Sequence, residues 1–336
     1  MKNLYTFILF LTMSFNLLGQ NSTKDFSITV PENKVSNSLY SKIELLDCRI
    51  DTSHLGVVQV GMLNRKAKVI PEVSLSSQLN DIMSEIIDSS ALNGELLFQI
   101  RKLSFAEITK ATSEKGYFYL RAVLYSKQGE RYHKLSDIDT LSIVKGMDVT
   151  KKIFRTGSKV MTDFISQNLN KEVKDLESYS YHEIVKLDSC EKRKLKLYNT
   201  KNYKDGLYYT FGSFRDQEPD NEVFVKRRKD LSIASVKVHD EFNQLVKVKS
   251  KNIYAIVEDG QAYIATKYGY YNLCKSDDYF YFVGDVEATA NSADVVAAGA
   301  FFGVLGGFLA SGARGTKYFI VIDHINGGFI LYKEIG

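Results

Sequence analysis

The period of the apolar positions changes several times along the chain, and those changes divide it. Residues 41–49 and 56–63 alternate apolar with polar side chains, which predicts two strands joined by a turn at Asp51, Thr52 and Ser53. Leu75, Leu79, Ile82, Met83, Ile86 and Ile87 then recur at steps of three and four, with Ser74 or Ser76 as cap and Gly94 beyond the end: a helix. From 95 to 107 alternation returns on Leu96, Phe98 and Ile100 and shifts parity to Leu103 and Phe105, which predicts a long strand with a bulge near Arg101. Strands at 117–125 and 131–141 pair across Lys127, Gln128 and Gly129. Thr150 is the expected cap of a second helix whose stripe is Ile153, Phe154, Val160, Met161, Phe164, Ile165 and Leu169. The order β-β-α-β-β-β-α predicts a sheet with both helices on one face.

Residues 173–203 form a connector rich in Lys and Glu, where Tyr179, Tyr181, Glu183, Val185 and Leu187 alternate as a first strand of the next domain. Beyond it the pattern is nearly all β, at 207–211, 222–227, 232–238, 245–249, 253–257, 262–266, 270–274, 279–286, 317–323 and 329–334. Asp259-Gly260 supplies a hairpin turn. The fold class expected is therefore α+β, an α+β domain followed by an antiparallel, tyrosine-rich β domain.

One segment interrupts this alternation. Residues 295–313 carry no charge, and Gly299, Gly303, Gly307, Ser311 and Gly315 recur every fourth position, a glycine zipper of the kind that lets helices approach closely. As a helix it would be about 28 Å long, near the thickness of a bilayer core. Its eight Val, Phe and Leu residues favour insertion by about 4 kcal/mol, and its five glycines cost on the order of 1 kcal/mol each, so the balance is close to zero. A simple span would also separate the last hairpin from its sheet. The segment is expected to pack on its own domain, to dip into a membrane, to pair with copies of itself, or to remain disordered.

The run Leu45-Leu46-Asp47-Cys48-Arg49, followed by Leu55-Gly56, a Ser-led helix and long strands, resembles the YajG-type lipoproteins and the auxiliary lipoproteins of ABC-type transport over residues 41–169. That resemblance implies a bacterial envelope location and the sheet-and-helix architecture, with no catalytic residues to carry over; the chain departs from it in lacking a lipidated Cys after its apolar leader. Asp47 and Arg49 share a strand face, which predicts a structural pair or a turn anchor. Gly206-Leu207-Tyr208-Tyr209-Thr210-Phe211, with Phe214 three positions on, resembles the opening of a β region in secreted bacterial proteins that have no assigned activity.

Composition refines the picture. Lys2, an apolar stretch at 4–18 and Gly19 predict a secretory signal, so the protein is expected to be exported to the periplasm or the periphery of the outer membrane. The net charge of +4 is too small to demand an anionic partner; the one dense basic run, 226–229, reads as a hairpin end, and no nucleic acid is expected. Cys48, Cys190 and Cys274 are too few and too dispersed for a metal cluster; they read as buried or half-buried thiols, with a Cys190–Cys274 bridge as the alternative.

No nucleophile elbow, zinc-protease helix, phosphate loop or dinucleotide fingerprint is present, so no catalytic residue, cofactor or metal is assigned. His54, His133, His182, His239 and His324 are expected at the surface or in turns, and Asp277-Asp278 in a hairpin turn. Tyr208, Tyr209, Tyr268, Tyr270, Tyr271, Tyr279 and Tyr281 read as core and cross-strand packing, with a carbohydrate or peptide floor as the alternative.

The organisation expected is thus a signal peptide at 1–19, a linker with at most one edge strand at 20–38, the YajG-like domain at 39–172, the connector at 173–203 and the β domain at 204–336 with its insertion at 295–313. The function expected is non-enzymatic binding or assembly in the envelope, through membrane or homo-oligomer contact at Gly299, Gly303, Gly307, Ser311 and Gly315. The alternative is an exported enzyme or ligand-binding protein with its site in the β domain, which requires His, Asp and Glu side chains to converge there.

Overall fold

A computed structural model describes residues 22–31, 34–61, 65–110, 113–146, 148–174, 177–266, 268–276, 278–285 and 317–335. The expected signal peptide at 1–19, the uncharged segment 295–313 and Gly299, Gly303, Gly307, Ser311 and Gly315 lie outside the described residues. The fold is mixed α+β and dominated by sheets. It divides into two compact units, one of residues 1–124 and 136–172, the other of 125–135 and 173–336.

The first unit holds the strands β1 (Ser22–Phe26), β2 (Tyr40–Asp47), β3 (Gly56–Val60), β4 (Arg65–Pro71) and β5 (Gly94–Lys110), most of β6 (Ser113–Gln128) and of β7 (Arg131–Gly146), and the helices α1 (Leu75–Ile86) and α2 (Val149–Ser166). Sheet order is β1-β4-β3-β5-β6-β7, and β2 also pairs with β5. The parity shift in β5 has a topological cause. Its first half pairs in parallel with β2, ending at Asp47↔Ile100, and its second half pairs in parallel with β3 at Gly56↔Phe105. Two strands thus share one edge of β5, and the apolar parity changes where the neighbour changes.

Gly56 makes that exchange possible. At φ +115° an added Cβ would lie 2.0 Å from the Phe105 carbonyl oxygen, so only glycine permits the approach. Flanking backbone bonds from Phe105 N to Leu55 O and from Leu55 N to Val69 O, both 2.7 Å, hold the crossing.

Strand β4, which the apolar pattern did not reveal, is half polar and pairs antiparallel with β3 and parallel with β1. Within 20–38 lies one edge strand, β1, and beyond it Ile28 N donates to Gln78 Oε1 of α1 at 2.7 Å and Thr29 N to Ser158 Oγ of α2 at 2.7 Å. Ser74 caps α1 as expected. Thr150 does not cap α2. The cap position is Asp148, in the left-handed region at φ 54° with no side-chain cap bond, while Glu114 of β6 accepts from Val149 N at 3.3 Å. The Thr150 hydroxyl instead donates to the buried carboxylate of Glu107. Phe26, Phe105, Phe118 and Phe154 pack with ring centroids 4.7–5.6 Å apart, and Gly157 lets α2 close on Phe105 and Phe118.

The second unit takes in the tip of the β6–β7 hairpin, residues 125–135, where Tyr132 and His133 pair with β8 (Ser178–Tyr179). The strand expected through 179–187 is instead helical: α3 (Tyr181–Val185), α4 (Leu187–Lys194) and α5 (Lys196–Asn199). The reason was in the sequence, because Ser180 and Glu183 form a reciprocal capping box that starts α3. Another short helix, α6 (Phe211–Arg215), follows β9 (Gly206–Tyr208), so the expected strand 207–211 ends early at the Thr210 cap.

Three antiparallel sheets complete the unit. One is β10 (Phe224–Arg227), β11 (Ile233–His239) and β12 (Leu245–Val248). The second has order β15 (Gly269–Asn272), β14 (Gln261–Thr266), β13 (Ala255–Glu258), β9. The third is β16 (Cys274–Lys275), β17 (Phe280–Asp285), β18 (Lys317–Ile322) and β19 (Phe329–Ile335). The Asp259-Gly260 turn joins Glu258 to Gln261 with both residues at positive φ, as a two-residue hairpin requires. Tyr208, Phe214, Ala255, Ile264, Phe280, Phe282 and Ile320 form the core between the second and third sheets.

Candidate functional site

The turn between β18 and β19 is anchored on all sides. Asp323 N donates to Gly328 O at 2.8 Å, Gly327 N to Asp323 O at 2.7 Å, and Asp323 Oδ1 accepts from Ile325 N at 3.0 Å. Gly327, at φ 74°, sits against the Phe211 ring, where a Cβ would approach Cγ to 2.2 Å. Its carbonyl accepts from the Tyr254 hydroxyl at 2.9 Å. These contacts fix the backbone on which His324 stands.

Expected at the surface or in a turn, His324 is in the turn but only 7% exposed. Its Nε2 lies 2.9 Å from Glu191 Oε2 of α4, a contact spanning 133 residues of sequence. Asp188 stands one helical turn before Glu191, a spacing that places both carboxylates on one face. One ligand atom from each of Asp188, Glu191 and His324 lies within 4.8 Å of the other two. Lys192 of the same helix is buried and directs its Nζ to the Tyr279 ring, 4.7 Å from the centroid. The Tyr198 hydroxyl of α5 is buried beside the Phe280 backbone. Burial, and then the charges of Asp323, Asp188 and Asp278, push its ionisation far above the usual range, so Tyr198 is a neutral phenol.

Chemically, the group offers one imidazole and two carboxylates with an ammonium nearby, a set suited to holding a cation or moving a proton. Among the described residues, no hydroxyl or thiol is hydrogen-bonded to the His324 ring, so the arrangement is not that of an activated nucleophile. The sequence assigned no metal set, and these three residues converge only in the fold. The i,i+3 pair Asp188/Glu191 became a signal only once 187–194 was known to be helical.

The other candidates separate. Asp47 and Arg49 form the expected pair: Nε and Nη2 of Arg49 donate to the carboxylate at 2.9 and 2.7 Å, and Nη1 reaches His54 O at 2.9 Å, anchoring the loop into β3. His54 Nδ1 accepts from Gly56 N at 2.9 Å, and burial lowers its ionisation despite Asp51 at 3.5 Å. His239 bonds across its own turn to Asn243 O at 3.1 Å. The basic run ends a hairpin, with Arg227 paired to Glu258 and Arg228 bonded to Ile233 O. None of the three cysteines forms a disulfide, so the alternative Cys190–Cys274 bridge is not made; Cys48 and Cys190 are half-buried as expected, whereas Cys274 is exposed. Asp278 lies in the turn closed by Ser276 N and Tyr279 O at 2.9 Å, while Asp277 is outside the described residues. Of the seven tyrosines, Tyr208 is core and Tyr271 stacks on Phe282, whereas Tyr209, Tyr268 and Tyr279 are exposed.

Among the described residues no helix is long and apolar enough to cross a membrane. No protein-family model matches the chain, and no curated protein matches it. Among solved structures, the crystal structure of protein XCC0632 from Xanthomonas campestris, described with the family DUF330, matches at a TM-score of 0.29 and 10% identity. The match covers 44% of this chain and 95% of that one.

Proposed function

We propose that the chain is an exported protein of the bacterial cell envelope with a binding or assembly role, exerted through the uncharged segment 295–313, which holds Gly299, Gly303, Gly307 and Ser311, with Gly315 just beyond it. One observation carries the reading. Asp285, the last residue of β17, is paired with Lys317, the first of β18, so the two ends of the intervening stretch are held together at one rung of the sheet. A segment with paired ends cannot cross a bilayer once, because β17 and β18 would then lie on opposite sides. What agrees with that geometry is an excursion that enters and leaves on one side, into a membrane surface or against a second copy of the chain. Its nineteen charge-free residues, 295–313, supply the apolar surface for either contact.

The leader-like residues 1–19 and the resemblance to YajG-type envelope proteins support export. Fractionation tests the reading. The intact protein is expected to sediment with membranes, or to run as an oligomer without detergent, and a variant lacking 295–313 to be soluble and monomeric. Intact protein that is soluble and monomeric without detergent would refute it.

A second reading, an exported ligand-binding protein or enzyme, is favoured by the convergence of Asp188, Glu191 and His324 in the β-rich unit.

A further inference from the structure

We propose that Asp188, Glu191 and His324 form a binding site for a divalent transition-metal ion of the zinc class, with at least one coordination position left to water or a ligand. The site goes beyond the envelope reading and does not depend on it.

The argument begins with geometry. Around a four-coordinate zinc with bonds of roughly 2.0–2.1 Å, adjacent ligand atoms are about 3.3 Å apart. The Nε2 of His324 and the Oε2 of Glu191 are 2.9 Å apart, so an ion between them requires an opening of a few tenths of an ångström. The third ligand atom, from Asp188, lies within 4.8 Å of the other two, a gap that rotation of a helix-borne carboxylate closes.

The backbone supplies what side-chain rotation cannot. Asp188 and Glu191 ride on one helix, one turn apart, and His324 stands on a turn fixed by backbone bonds at both of its ends and by the Gly327–Phe211 contact. The ligands therefore come from two rigid elements, which lowers the ordering entropy that binding must overcome.

Chemistry selects the ion. An imidazole nitrogen with two carboxylates suits zinc, cobalt or manganese better than calcium or magnesium, which prefer sets of six or more oxygens. Three protein ligands are the number typical of zinc sites that keep an open position, whereas structural zinc sites have four. His324 is only 7% exposed, so its ring already has its position before an ion arrives. The carboxylates of Glu191 and Asp188 are half-buried and accessible from solvent, which gives the ion an entry path.

The test uses the full chain without an affinity tag, stripped of metal and titrated with Zn²⁺ by calorimetry, and with Co²⁺ by visible absorption. The expected result is one equivalent of Zn²⁺, with a Co²⁺ spectrum of the intensity that marks four- or five-coordination. Asp188→Asn and Glu191→Gln replace half-buried side chains and keep their shape; each should weaken binding at least tenfold. Cys190→Ser, on the same helix, should leave affinity unchanged, which separates the site from adventitious thiol capture. Absence of a stoichiometric Zn²⁺ site in the wild-type chain would overturn the proposal. So would an affinity that survives both carboxylate substitutions or falls with Cys190→Ser. Circular dichroism of each variant checks that lost affinity is not lost fold.

Discussion

Replacing Gly56 by alanine probes the crossing at which β5 changes neighbours. Two costs add. An L-residue held at φ +115° is strained by roughly 1–3 kcal/mol. The new methyl would also sit 2.0 Å from Phe105 O and 2.8 Å from Phe105 N, backbone atoms that cannot rotate away. Restoring an ordinary contact moves β3 from β5 by about 1 Å, which breaks or stretches the bonds that Leu55 makes to Phe105 and Val69, each worth about 1 kcal/mol. The sum is about 3–5 kcal/mol. Gly61 is the control, because it too has positive φ, +73°, but an added Cβ there meets nothing within 4 Å. Gly61→Ala should cost only the conformational strain, about 1 kcal/mol.

The assay is urea unfolding followed by circular dichroism, with hydrogen exchange of β3 and β5 amides to place the effect in the first unit. For a domain of this size, the larger cost lowers the thermal midpoint by roughly 10 °C or more. Equal destabilisation by the two substitutions would refute the reasoning, since they differ in space and not in the sign of φ.

Glu107 gives a pH-dependent expectation. Burial raises its carboxyl above the usual range, against the opposing hydrogen bonds from Thr150 and Gln59. A folded value above the unfolded one means that its contribution is fully present below about pH 4 and is lost as pH rises through the folded value. Glu107→Gln, which keeps the acceptor for Thr150 without the charge, should remove that slope from a plot of urea midpoint against pH; an unchanged slope would contradict it. For Arg49→Ala, loss of two charge-assisted bonds to Asp47 and one to His54 O predicts about 2 kcal/mol of destabilisation by denaturant titration. Arg49→Lys should recover little, because an ammonium cannot reproduce the bidentate fork, and full rescue by Lys would count against that account.

Legibility in the sequence was limited to whatever one apolar period could report. The stripes of α1 and α2, the Asp259-Gly260 hairpin and most strands of the second unit lie near their expected bounds, because the apolar positions that mark them recur at one period between turn residues. Strand β4 escaped notice since its residues 65–71 include Arg65, Lys66 and Lys68. The helices at 181–199 were hidden for a different reason. Alternate aromatic and apolar residues at 179–187 imitate a strand, and the decisive signal was local, the Ser180/Glu183 box. The Asp47–Arg49 pair could be anticipated because its members are two residues apart. The Asp188, Glu191 and His324 cluster could not, since it needs both a helix that alternation concealed and a turn 133 residues from Glu191.

The shared rung of Asp285 and Lys317 has a consequence for how this protein can vary. Closing a loop between two points already held together costs little more as the loop grows, about 0.6 kcal/mol for each doubling of its length. The β17–β18 pairing is therefore nearly indifferent to how many residues separate Asp285 from Lys317, so a change of length there should cost the two strands little.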